Sequence, residues 1–285
     1  MLNLEFKQFE EAIVDYDLLL LDLWGVVIEG GKTYEGVAEV INRISKTKKI
    51  LFLSNAPRPN YIIAKNLLNW GIKEVSPKNV VTSGDVTRMW INENFVSKNQ
   101  TPRICHIGQD RNDQILESIK YVEADVNDAD ILLITAYRDE DENVEQFNDM
   151  LVLAGKNKKL VTLCANPDVM VPNLDKKRFC AGYFASIVEQ NGGNVIYTGK
   201  PKVEIYNHIF KLYPNLQKDK ILMVGDTFET DMLGARDSGI RSALVLTGNS
   251  QKIHGHHKNI ELKLSAIHNH AKQENIFPSF VTSIV

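Results

Sequence analysis

The stretch Leu18-Leu19-Leu20-Leu21-Asp22-Leu23-Trp24-Gly25-Val26-Val27 decides the fold. Four consecutive leucines read as a strand buried on both faces, the pattern of a central parallel strand. The run ends in a carboxylate, Asp22, and Gly25 then lets the backbone turn sharply. In open α/β sheets ligands bind beyond the carboxyl ends of the strands, so Asp22 stands where chemistry would sit. Trp24 is the unusual member of the stretch.

Outward from this strand, short apolar runs alternate with amphipathic segments. Residues 4–14 read as a short helix leading in. Strand 49–53 ends in Ser54-Asn55-Ala56-Pro57, a helix runs from Tyr61 to Trp70, and Val80-Val81-Thr82 is a third strand. From about residue 84 the pattern reads as a βαβαβ unit of its own, with strands 103–107, 130–135 and 159–164 and helices 85–96, 112–119 and 143–155. Asn166-Pro167-Asp168 closes it, and an irregular stretch through Pro172 follows. A helix over 179–190 and a strand over 195–197 lead to Gly199-Lys200-Pro201. Strand 220–224 ends in Gly225-Asp226-Thr227, a helix runs from Thr230 to Gly239, and strand 241–246 follows. The tail after Gly248 is polar, with a weak helical pattern over 258–271.

At 285 residues the chain is long enough for two lobes, and a net charge of −3 gives no basic field for nucleic acid. No apolar run approaches the roughly 20 residues that span a bilayer, and the first residues lack the pattern of a signal peptide. The three cysteines, Cys105, Cys164 and Cys180, are far apart and lack metal-site spacing, so the expected location is cytoplasmic. His254, His256 and His257 lie in a polar segment without a carboxylate or Cys at ligand spacing, and no metal site is read there.

Four strand ends carry polar residues: Asp22; Ser54 with Asn55; Lys200; and Asp226 with Asp231. As neighbours in one parallel sheet they would converge on one crevice, and each type has work in phosphoryl transfer. A carboxylate attacks phosphorus. A second holds Mg²⁺, which prefers oxygen ligands. A hydroxyl, backbone N–H groups and a lysine grip phosphate oxygens. Each also has a plain alternative. Asp22, Ser54, Asp226 and Asp231 could cap helices, Lys200 could be a solvated loop residue, and Asn166 and Asp168 could be turn residues.

Asp22-Leu23-Trp24-Gly25-Val26, Ser54-Asn55, Gly199-Lys200-Pro201 and Gly225-Asp226-Thr227-Phe228-Glu229-Thr230-Asp231 together resemble the four ordered motifs of the haloacid dehalogenase superfamily. The long insert between the second and third motifs resembles its class IIA branch, and the resemblance covers roughly residues 15–250. It implies an α/β fold, a doubly wound parallel sheet of Rossmann-like type with an inserted α/β cap. The core is expected over 1–83 and 178–285, the cap over 84–177. It implies Mg²⁺-dependent phosphatase chemistry on a small phosphorylated metabolite, without nucleic acid or membrane, and a cap-to-cap homodimer. By resemblance, Asp22 is nucleophile and metal ligand and Lys200 steadies nucleophile and phosphate. Ser54 grips phosphate, and Asn55, Asn166 and Asp168 bind substrate. Asp226, Asp231 and the backbone carbonyl of Trp24 complete the metal site.

One position departs. Phosphatases of this superfamily normally carry Asp two residues beyond the nucleophile, where it protonates the leaving oxygen and then activates water. Trp24 has only an indole N–H donor. General acid–base catalysis is worth roughly 10²–10⁴ in rate, so the loss falls hardest on basic leaving groups. Glu29 and Asp168 are candidate substitutes. Two rival readings stand beside the phosphatase: an impaired relative that binds a phosphorylated ligand or a protein, and an enzyme acting on C–P or C–halogen bonds.

Overall fold

Leu18–Asp22 forms the expected strand, and all five residues are buried. The computed structural model describes residues 4–108, 110–139, 143–173, 176–255 and 257–285. The leucine strand pairs in parallel with Ile221–Gly225 on one side and Lys49–Ser54 on the other. The sheet runs Phe280–Thr282, Arg241–Val245, Ile221–Gly225, Leu18–Asp22, Lys49–Ser54, Val80–Thr82. From the leucine strand the chain first builds one way and later returns to build the other, so strand order reverses between Leu18–Asp22 and Ile221–Gly225. Crevices form at such a switch point.

Register sets the site. Leu21 pairs with Val224, which puts Asp22 level with Gly225 and Asp226 one residue beyond. Asp22 pairs with Leu53, which puts Ser54 one residue beyond. The helix Val37–Ile44 buries Val37, Val40, Ile41 and Ile44, the spacing that an apolar stripe requires.

The tail belongs to this sheet. Asn259 caps the helix Ile260–Glu274 by accepting the N–H groups of Glu261 and Leu262. That helix buries Ile267 and Ala271 among Phe228, Met232, Leu244 and Val281. Phe280–Thr282 then adds a parallel edge strand. At the other terminus the expected helix over 4–14 is confined to Phe9–Ala12. Phe6 instead bridges to Val281, with the N–H of Lys7 donating to Val281 O at 2.9 Å.

The chain divides into two compact units: Met1–Ser54, Tyr61–Val81 and Tyr206–Val285 form one, and Asn55–Asn60 with Thr82–Ile205 form the other. The second therefore reaches beyond the expected cap, 84–177, and takes in residues 178–205. The pairing explains why. Asn194–Tyr197 lies parallel to Val161–Cys164 and is the edge of a second sheet, ordered Asn194–Tyr197, Val161–Cys164, Ile131–Ile134, Arg103–Ile107, Val122–Glu123. The four polar strand ends thus do not share one sheet: the strand leading to Lys200 sits in the second. Where an irregular stretch was expected, Met170–Asn173, Lys176–Cys180 and Tyr137–Asp139 form an antiparallel sheet. The expected helix over 112–119 is a 3₁₀ segment, Asp110–Leu116. Leu132, Ile134, Leu151, Ala154, Phe184 and Val188 fill this unit's core.

Candidate active site

Within the first unit, Asp22, Asp226 and Asp231 each offer a carboxylate oxygen, and these atoms lie within 4.8 Å of one another. Their exposures are 7%, 2% and 1%. The strand ends place Asp22 and Asp226. Asp231 is returned by a wide π-type turn, Phe228–Met232, entered through the N–H of Asp231 donating to Thr227 O at 3.0 Å. Its Oδ2 accepts the N–H groups of Asp226 at 3.1 Å and Thr227 at 3.2 Å.

Asp226 is held at both oxygens. Thr227 Oγ1 donates to its Oδ1 at 2.9 Å, and the N–H of Asn249 donates to its Oδ2 at 2.6 Å. Asn249 Nδ2 in turn donates to Thr227 Oγ1 at 2.9 Å, which orients that hydroxyl toward Asp226. Gly25 and Gly248 have φ of +84° and +63°, and a Cβ at either would stand 2.1 Å from Asp226 Oδ2. Both glycines are therefore required twice, by conformation and by the closeness of the carboxylate. Thr247 Oγ1 ties the two loops by donating to Gly25 O at 2.6 Å.

Three carboxylates this close repel. Two unit charges 4.8 Å apart interact by roughly 3 kcal/mol at an effective dielectric near 20. A hard divalent cation with oxygen preference fits this all-carboxylate set, so Mg²⁺ suits the residues present. Nearby, burial first, and then the charges of Glu29 and Asp226, push the Tyr34 phenol well above its ordinary range and keep it protonated. Glu29, a candidate substitute acid, is exposed on the short strand Ile28–Glu29. Ser54 is buried at the end of its strand. Trp24 exposes 55% of its surface.

The second unit holds a separate cluster. Asn55 Oδ1 accepts the N–H of Lys200 at 2.7 Å, and its Nδ2 donates to Lys200 O at 3.1 Å and to Asp168 Oδ1 at 3.0 Å. Asn166 Oδ1 accepts the N–H of Asp168 at 3.1 Å. Gly199 allows this approach, because a Cβ there would stand 2.5 Å from Asn55 Oδ1. Asn55 therefore braces the Lys200 loop and Asp168. The residues that sequence reasoning missed are Thr227, Thr247 and Asn249. The available signal for Thr247 and Asn249 was the Thr-Gly-Asn that follows the strand next to Ile221–Gly225, whereas Thr227 stood within the quoted Gly225-Asp226-Thr227 motif.

Residues 19–122 match the family model for haloacid dehalogenase-like hydrolases, and residues 197–270 match a second, HAD-hydrolase-like model. The sugar-phosphatase AraL of Bacillus subtilis is 26% identical over 239 residues, covering 82% of this chain and 84% of that protein. A crystal structure of a haloacid dehalogenase-like hydrolase from Brucella suis is 30% identical, covers 84% of this chain and 88% of its own, and superposes with a TM-score of 0.73. The 4-nitrophenylphosphatase of Thermotoga maritima shares the fold at a TM-score of 0.70, with 23% identity and 94% of each chain covered. Family matches at both ends of the chain and a 30% identical relative agree with the buried carboxylates at the sheet's switch point: this chain belongs to the haloacid dehalogenase-like hydrolases, in their class IIA branch.

Proposed function

We propose that this protein is a Mg²⁺-dependent phosphatase that acts on a small phosphorylated metabolite through a phospho-Asp22 intermediate. The observation that carries the reading is the convergence of the buried Asp22, Asp226 and Asp231 at the switch point of a parallel sheet. The sugar-phosphatase and 4-nitrophenylphosphatase relatives support the reaction class.

Asp22 attacks phosphorus in line, and water then attacks the phospho-aspartate and regenerates the carboxylate. Mg²⁺ held by Asp22, Asp226 and Asp231, with the Trp24 carbonyl, would offset the repulsion between an attacking carboxylate and a phosphate dianion. The Ser54 hydroxyl donates to a phosphate oxygen. Lys200 supplies positive charge to the transferring group, and Asn55 acts as its positioning residue. Asp168, oriented by Asn166, contacts the organic part of the substrate. The inserted unit, in this reading, selects the leaving group, and the protein works as a cytoplasmic homodimer.

Purified protein with Mg²⁺ is expected to release phosphate from 4-nitrophenyl phosphate and acetyl phosphate, and Asp22→Asn or EDTA to remove that activity. Turnover no greater than that of Asp22→Asn would end the enzyme reading. One observation favours a second reading, an impaired relative that binds a phosphorylated ligand. Residues 23–28, just after the nucleophile, carry no titratable side chain. Thermal stabilisation by phosphorylated metabolites without turnover would support it.

A further inference from the structure

A chain of hydrogen bonds within the first unit runs from an exposed lysine to the carboxylate cluster. Lys252 Nζ donates to Asn249 Oδ1 at 2.7 Å, Asn249 Nδ2 donates to Thr227 Oγ1 at 2.9 Å, and Thr227 Oγ1 donates to Asp226 Oδ1 at 2.9 Å. Lys252 belongs to none of the four motifs and stands on the short helix Gln251–His254.

The direction of every bond in the chain depends on this lysine. An ammonium has three donors and no acceptor, so only the oxygen of the Asn249 amide can face it. That choice turns the NH₂ group toward Thr227. An NH₂ group offers no acceptor, so the single hydroxyl proton of Thr227 goes to Asp226. With the amide turned over, its oxygen would compete with Asp226 for that proton, and its nitrogen would face the ammonium, donor against donor. The two orientations differ only by exchange of O and N, so shape does not choose between them and the hydrogen-bond partners do. The backbone on which the amide turns is fixed separately. The N–H of Asn249 donates to Asp226 Oδ2 at 2.6 Å, and Ser250 Oγ donates to Thr247 O at 2.9 Å.

We infer that Lys252 is a positioning residue for the metal site, whose ammonium sets the polarity of the Asn249–Thr227 relay and so commits the Thr227 proton to Asp226. The inference rests on the cation site of the phosphatase reading. A proton donated to one side of the Asp226 carboxylate fixes its rotation, so the carboxylate meets Mg²⁺ already oriented. This effect opposes plain electrostatics. A positive charge near the site repels Mg²⁺, so by Coulomb's law alone removal of the Lys252 charge tightens Mg²⁺ binding. The relay requires the reverse.

The opposite signs make the test. Mg²⁺ is titrated calorimetrically into the parent protein and into Lys252→Arg, Lys252→Met and Lys252→Glu, each alone and combined with Thr227→Val. Lys252→Arg keeps charge and donors and should bind Mg²⁺ within about twofold of the parent, whereas Lys252→Met, one bond further out than Thr227, should bind about threefold more weakly. Lys252→Glu presents an acceptor that draws the Asn249 NH₂ group and turns the amide oxygen to Thr227. It should bind Mg²⁺ about tenfold more weakly, the loss expected of Thr227→Val itself. With Thr227→Val the relay is cut, so Lys252→Met and Lys252→Glu should cause no further loss. Unchanged or tighter binding in Lys252→Met and Lys252→Glu overturns the inference and leaves the metal site standing. Equal losses with and without the Thr227 hydroxyl also overturn it, because Lys252 then acts by another route. A parent that binds no Mg²⁺ overturns the Mg²⁺-dependent phosphatase reading and this inference with it.

Discussion

The main-chain N–H of Asn249 donates to Oδ2 of Asp226 at 2.6 Å, so a loop at the end of one strand fixes a carboxylate at the end of its neighbour. The side chain of Asn249 extends the same support through Thr227 to Oδ1. Groups that orient a metal-binding carboxylate typically change metal affinity by about 10–100-fold when removed. Thr227→Val should weaken Mg²⁺ binding by about tenfold in a calorimetric titration and leave the far-ultraviolet spectrum unchanged. Unchanged affinity would show that the Thr227 contact does not position Asp226.

Gly248→Ala and Gly25→Ala should each be poorly tolerated. Each new Cβ would meet Asp226 Oδ2 at 2.1 Å on a backbone of positive φ. A cost of about 1–3 kcal/mol is expected in denaturant unfolding, together with loss of stabilisation by Mg²⁺. Gly30→Ala is the matched control, because it also has positive φ but nothing within 4 Å of an added Cβ. Equal costs at all three positions would mean that backbone strain alone, and not the carboxylate, sets the requirement.

The carboxylate cluster predicts a reversal between metal-free and metal-loaded protein. Asp22→Asn removes one of three mutually repelling charges. Without metal it should therefore be more stable than the parent, by about 1–3 kcal/mol. With Mg²⁺ in excess the order should invert, because the parent gains binding free energy that the variant loses. Melting curves with EDTA and with Mg²⁺ measure both halves. The same order of stability under both conditions would contradict a shared cation site.

In the second unit, Asn55→Asp should be worse than Asn55→Ala. The amide donates to both Lys200 O and Asp168 Oδ1, so an aspartate would replace a donor by a charge facing a second carboxylate. Losing the donor leaves a buried carbonyl oxygen short of a partner, a cost of about 1–3 kcal/mol, and the new repulsion adds to it. Denaturation midpoints of the two variants, measured at neutral pH and again in acid, separate the terms. The gap between them should narrow as the carboxyls protonate.

Asp85 gives a pH signature of the insert. Burial holds its carboxyl above the ordinary carboxylate range, against the opposing pull of the Asn60 and Thr82 hydrogen bonds and the charge of Arg88. Its folded pKa therefore exceeds the unfolded one. The stability it contributes is complete below the unfolded value and is lost as pH rises through the folded value. Asp85→Asn removes the titration but keeps an acceptor for only one of the two N–H groups, since Asn60 donates to Oδ1 and Thr82 to Oδ2, so its stability is compared by slope with pH and not by absolute value. The variant should lose stability less steeply than the parent as pH is raised from about 4. Parallel curves would place the shift elsewhere.

The sheet was legible where burial was two-sided. The leucine run announced its own centrality, and the carboxylates at the ends of two adjacent strands had to meet because register brings those ends level. Asn194–Tyr197 was misassigned because an apolar run states that a strand exists, not which sheet it joins. Only its pairing with Val161–Cys164 decides that. Phe280–Thr282 was too short and too polar in its surroundings to stand out, and its partner is fixed by long-range packing. Asn249 escaped because a main-chain N–H is common to every residue but proline. Its task comes from where Gly248 turns the loop. Asn55 was recognised as important for its place beside Ser54, yet both faces of its amide are turned to the Lys200 loop, which no spacing in the sequence discloses.

The most direct measurement traps the intermediate. The protein is mixed with 4-nitrophenyl phosphate and Mg²⁺, quenched, reduced with borohydride and digested, and the peptide containing Asp22 is read by mass spectrometry. An acyl phosphate at Asp22 is reduced to homoserine, so conversion at position 22 is predicted only when both ester and Mg²⁺ are present. Turnover with Asp22 unconverted, or with the modification at another residue, would contradict the account.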